Sequence, residues 1–69
     1  MEMHEYLDAL SGQIRSGRAR QAVREGLEAH IRDQAQTYVD SGMEEQEALE
    51  QAVRQMGDPV EVGIDMDRI

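Results

Sequence analysis

The apolar positions of this chain fall into helical stripes separated by corners. Met3, Tyr6, Leu7, Leu10 and Ile14 recur at i, i+3, i+4, i+7 and i+11, one face of a first helix predicted over about 2–13. Ser11-Gly12 weakens its end and Ser16-Gly17 makes a loop. Ala19, Val23, Leu27, Ile31 and Ala35 step by four along a long second helix, about 18–41, with Ala22, His30, Tyr38 and Val39 widening the stripe. Gly42 suits the left-handed residue that closes it. Ala48, Leu49, Ala52, Val53 and Met56 mark a third helix, about 44–56. Gly57 ends that helix and Asp58 is placed to cap the next. Pro59 then stands at its first position, where a missing N–H costs nothing.

The residues after that corner carry two periods. Val60, Val62, Ile64 and Met66 alternate as in a strand, whereas the Asp58 cap and Pro59 favour a helix. Read as a helix, Val60 and Ile64 face the core, and Val62, Met66 and Ile69 form a second apolar stripe that needs a second partner. That stripe, with Glu61, Asp65 and Asp67 beside it, is the candidate interaction surface. The fold predicted is all-α: one domain over 1–69, a small bundle of three main helices with a short fourth after Gly57-Asp58-Pro59. Its predicted core is Tyr6, Leu7, Leu10, Ile14, Val23, Leu27, Ile31, Tyr38, Leu49, Ala52, Val53, Met56, Val60 and Ile64. Leu49→Asp is expected to unfold it, because a buried charge without a partner costs more than so small a domain has to lose.

Two positions depart from good helix chemistry. Glu44 is a poor side-chain cap, although Glu44, Glu45 and Glu47 suit the positive end of the helix dipole. Glu44→Ser would complete a capping box with Glu47 and should stabilise the domain. Gly26 lies in mid-helix at a cost of about 1 kcal/mol relative to Ala. Either it admits a neighbouring helix or it is simply tolerated.

Composition narrows the function. A chain of 69 residues is short enough to be marginally stable, and it has no Cys to supply a disulfide or a Cys-based zinc site. Helix packing, with self-association as a further source, must hold it. No apolar run approaches the ~20 residues of a membrane span. The opening Met1-Glu2-Met3-His4-Glu5 lacks the basic and apolar regions of a signal peptide. The chain is therefore expected to be soluble and made inside the cell. A net charge of −8 disfavours nucleic acid. In a helix-turn-helix reading, the third helix would present Glu44, Glu45, Glu47 and Glu50 to DNA against Arg54 alone. The seven basic residues are all Arg, and Arg15, Arg18, Arg20 and Arg24 cluster with no acid between them. Such a cluster is either a solvated helix start or a patch for an anionic membrane surface.

Candidate chemistry is thin. His30 and Asp33 stand three apart, a spacing that can bring a His and a carboxylate to one metal. A metal needs three or four ligands, however, and only His4 offers a second imidazole. A histidine at the core edge, bonded to a nearby carboxylate or carbonyl, is the plainer reading. The carboxylates of Glu44, Glu45, Glu47 and Glu50 form an exposed face without the cleft that shifts a pKa. There is no nucleophile elbow, P-loop or dinucleotide loop. No catalytic residue, metal or cofactor is expected.

Three segments together resemble a known family. Glu25 with His30, Ile31, Asp33 and Gln34, then Gly42-Met43 with Glu45, Glu47 and Ala48, then Gly57-Asp58-Pro59-Val60-Glu61, are similar to the permease-prefix (HAAS-type) domain. The resemblance covers about residues 3–69. From Gly57 through Gly63 to Asp67-Arg68-Ile69 it is most like the version that precedes FtsW/RodA/SpoVE-type bacterial cell-cycle proteins. Glu44 departs from the family's usual Ser or Thr cap, and Gly26 from its usual helix former. The resemblance implies a non-catalytic regulatory or docking domain at the N-terminus of a bacterial integral membrane protein, on the cytoplasmic side. Its partner would be its own membrane-embedded portion or a soluble protein. The alternative is a free-standing soluble helical adaptor, monomeric or homodimeric.

Overall fold

The computed structural model describes residues 1–68. Ile69 lies outside them. Four helices follow one another: α1 (Met3–Ser11), α2 (Gly17–Asp40), α3 (Glu45–Gln55) and α4 (Pro59–Asp67), with no strand among the described residues. The Asp58 cap and Pro59 therefore prevail over the alternation after them. The first helix stops short of the predicted Gln13. There the chain tightens into a turn in which Gln13 N–H donates to the Leu10 carbonyl at 3.1 Å and Ile14 N–H to that of Ser11 at 3.0 Å.

Side-chain caps start three of the helices. The Glu2 carboxylate accepts from the Glu5 amide, the Ser16 hydroxyl from the Ala19 amide, and one Asp58 oxygen from the amides of Val60 and Glu61. Glu44 caps α3 by position only. Gly42, at φ 106°, closes α2. Beyond it Met43 N–H donates to the Tyr38 carbonyl at 3.0 Å, and Gly42 N–H to that of Val39 at 2.9 Å. This pair satisfies two of the carbonyls a helix end leaves open. Gly57, at φ 94°, makes the matching corner after α3.

The long α2 and α3 lie antiparallel, Val39 near Glu45 at one end and His30 near Met56 at the other. Ala35 on α2 and Ala48 and Ala52 on α3 are buried. Small side chains there let the two helices approach closely. The short α1 and the turn after it contribute half of the buried apolar side chains: Met3, Tyr6, Leu7 and Leu10 from the helix, and Ile14 just beyond its end. The helix touches all three others, whereas α4 packs on α1 alone among the described residues. Val23, Leu27, Tyr38, Leu49 and Met56, predicted as core, are partly buried and pack on its rim. Met3, Ala35 and Ala48 are full core members that the predicted set omits.

The rotation of α4 corrects the sequence reading. Val60 and Ile64 are not core; they are 43% and 40% exposed, while Val62 and Met66 pack against the core. The reason is Gly63. A Cβ built there would lie 2.4 Å from the Leu10 carbonyl oxygen, so α4 meets α1 backbone to side-chain-free backbone at this point. With Gly63 inward, the facing stripe is Pro59, Val62, Gly63, Met66 and Asp67, a regular i, i+3, i+4, i+7, i+8 set. Two of its five members carry no hydrophobic signal. Gly26, by contrast, has no atom within 4 Å of its would-be Cβ, so it is a tolerated glycine and admits no neighbouring helix.

Candidate functional site

The predicted interaction surface is divided by that rotation. Val62 and Met66 turn toward α1, Glu61 and Asp65 remain exposed, and Ile69 lies outside the described residues. The apolar side chains that α4 presents to solvent are instead Val60 and Ile64, one turn apart and bordered by Glu61 and Asp65. Asp67, which reads from sequence as a surface acid, belongs to the inner stripe. Its carboxylate accepts the backbone N–H of Arg15 at 2.9 Å and the Arg15 Nε at 2.7 Å. These bonds, the amide first and the guanidinium after it, hold the Asp67 carboxyl below its ordinary value. They tie the last turn of α4 to the loop after α1.

The basic cluster serves the fold in the same way. Arg20 donates through Nε and Nη2 to the Ile14 carbonyl at 3.2 and 3.1 Å, and Arg24 pairs with Asp8 at 2.7 Å. With Arg15 on Asp67, three of the four arginines are engaged within the molecule, and Arg18 is exposed beside them. Their partners are a backbone carbonyl and carboxylates from α1 and α4, which linear spacing does not reveal.

Elsewhere the polar groups are dispersed. His30 is exposed at the lip of a shallow groove lined also by Gln34, Tyr38, Ala52, Gln55 and Met56. Among the described residues no three His, Cys, Asp or Glu side chains come together as a metal site. Glu44, Glu45, Glu47 and Glu50 are all exposed. Tyr6 is 2% exposed, and its hydroxyl is the one buried side-chain polar atom without a hydrogen-bond partner among the described residues. Burial pushes its phenol up, with the charge of Asp58 adding to the effect. No helix among the described residues is long and apolar enough to cross a membrane.

The HAAS family model matches residues 5–63, from α1 to the glycine that seats α4. No curated protein and no solved structure matches the chain.

Proposed function

This chain belongs to the HAAS family, and from that premise we propose that it is a non-catalytic docking and regulatory domain. In this reading it stands on the cytoplasmic side of a bacterial membrane, ahead of an integral membrane protein of the permease or FtsW/RodA/SpoVE type. The observation that carries the reading is the state of α4. Among the described residues it is fastened to the bundle through α1 and the loop that follows it, and it turns Val60 and Ile64 outward between acids. Two branched aliphatic side chains at i and i+4 are the contact a partner helix uses. The partner proposed is the protein's own membrane-embedded portion or a soluble protein. The anionic membrane surface draws less support, since Arg15, Arg20 and Arg24 already have partners inside the molecule.

The reading frame beyond Ile69 tests this first. Apolar runs of ~20 residues following a polar linker support it. A stop near Ile69 overturns it in favour of a free-standing adaptor, whose homodimer would show in light scattering. Given a membrane portion, Val60→Ser with Ile64→Ser should abolish cross-linking between the domain and its partner while leaving the melting midpoint unchanged.

A further inference from the structure

A groove opens at the N-terminal end of α3, and no residue of α4 lines it. The first three residues of the chain form one wall and the first two turns of α3 the other, enclosing about 550 Å³. A second hollow of about 320 Å³ shares Glu45 and Leu49 with it and extends to the C-terminal half of α2. The floor is aliphatic: Met3 is buried, Leu49 is half-buried, and Met1 stands over it 66% exposed. Methionine gives such a floor the adaptability to receive side chains of varied shape. The rim carries Glu2, Glu44, Glu45 and Glu50, all exposed. Among the described residues the one cationic side chain lining the two hollows is Arg32, and its Nε already donates to Glu28 at 3.1 Å.

We propose that this groove docks a cationic amphipathic segment of a partner protein. The segment lays aliphatic side chains on Met1, Met3 and Leu49 and sets Lys or Arg against the glutamates. An apolar floor inside a rim of one sign attracts the opposite charge and rejects the same one, which makes the choice of partner electrostatic. Glu2 among these acids caps α1, but Glu44 does nothing comparable for α3. Glu44 sits at the N-cap of α3 without bonding any helix amide, where a shorter side chain would stabilise the helix better. This surface is separate from the outer face of α4 and stands or falls independently of it.

The test is a titration of the 69-residue protein with two helical peptides of identical apolar spacing, one of Leu and Lys, the other of Leu and Glu, followed by backbone amide shifts. The Leu/Lys peptide should bind, shift Met3 and the first two turns of α3, and weaken as salt rises. Its affinity should fall ~3-fold for each of Glu44→Gln, Glu45→Gln and Glu50→Gln. Glu44→Ser should weaken binding while raising the melting midpoint, a combination that a purely structural role for Glu44 does not produce. Equal binding of both peptides, shifts confined to α4, or no shifts at all would overturn the proposal. Val60→Ser with Ile64→Ser should leave the titration unchanged, which separates its outcome from that of the α4 face.

Discussion

Glu44 holds the extended backbone of an N-cap, φ −65° and ψ 146°, yet its carboxylate makes no cap bond. A hydroxyl at the end of a shorter side chain accepts the amide of residue 47 from that geometry, and Glu47 can return a bond to the cap amide. Glu44→Ser should therefore raise stability by about 0.5–1 kcal/mol, read as a higher melting midpoint; no gain would contradict the cap assignment. Asp67 is the residue-scale case that works through pH. Its carboxyl is held lower in the folded chain than when unfolded, so the folded state binds fewer protons around that range. Its contribution is thus present above the ordinary carboxylate value of about 4 and is lost as pH falls through the lowered folded value. Asp67→Asn should increase amide exchange in α4 at neutral pH, and the difference from the parent should vanish in acid. A difference that persisted in acid would assign the effect to something other than the Arg15 contact. At this scale the caps at Asp58 and Gly42 were legible from residue type. The partners of Asp67, Arg20 and Arg24 were not, because each lies on another element or is a backbone oxygen.

Between elements, two glycines that look alike in sequence behave oppositely. Gly26 is surrounded by open space, so Gly26→Ala removes only a helix penalty and should stabilise by up to about 1 kcal/mol. At Gly63 the added methyl meets the Leu10 carbonyl oxygen and the Gln13 side chain, and neither main chain has room to yield cheaply. Gly63→Ala should destabilise by roughly 1–3 kcal/mol and loosen α4 selectively, which hydrogen exchange would localise. If the two variants had the same sign, the close approach of α1 and α4 would be refuted. Helix number, order and limits follow from stripes and caps, and the sequence reading of them agrees with the structure to within about two residues, the usual uncertainty of helix ends. The rotation of α4 did not follow. Its inner stripe includes a glycine and an aspartate, so hydrophobicity pointed to Val60 and Ile64 instead.

At the scale of the molecule, α1 is the common partner of every other helix, and its Leu7 and Leu10 are fully buried. A domain this small has only about 3–5 kcal/mol to lose, and truncating a buried leucine costs about 2–5 kcal/mol. Leu10→Ala should therefore leave a large unfolded population at room temperature, visible as lost helicity. Leu49→Asp, which the stripe alone marks as unfolding, should be milder. Leu49 is half-buried on a groove wall, and a carboxylate there can reach water. Retained helicity in Leu49→Asp together with collapse in Leu10→Ala is the expected contrast.

Period and capping chemistry were enough to specify an all-α bundle with these four helices, because such signals act within a few residues of one another. Family membership was legible for the same reason, in short motifs, one within α2 and two at the corners. Tertiary structure alone decided which face of α4 meets solvent, which arginines are engaged and where acids at the starts of α1 and α3 gather around an aliphatic floor. Those outcomes depend on how closely one backbone approaches another, above all at Gly63. The distance between two helices is not written in either of them.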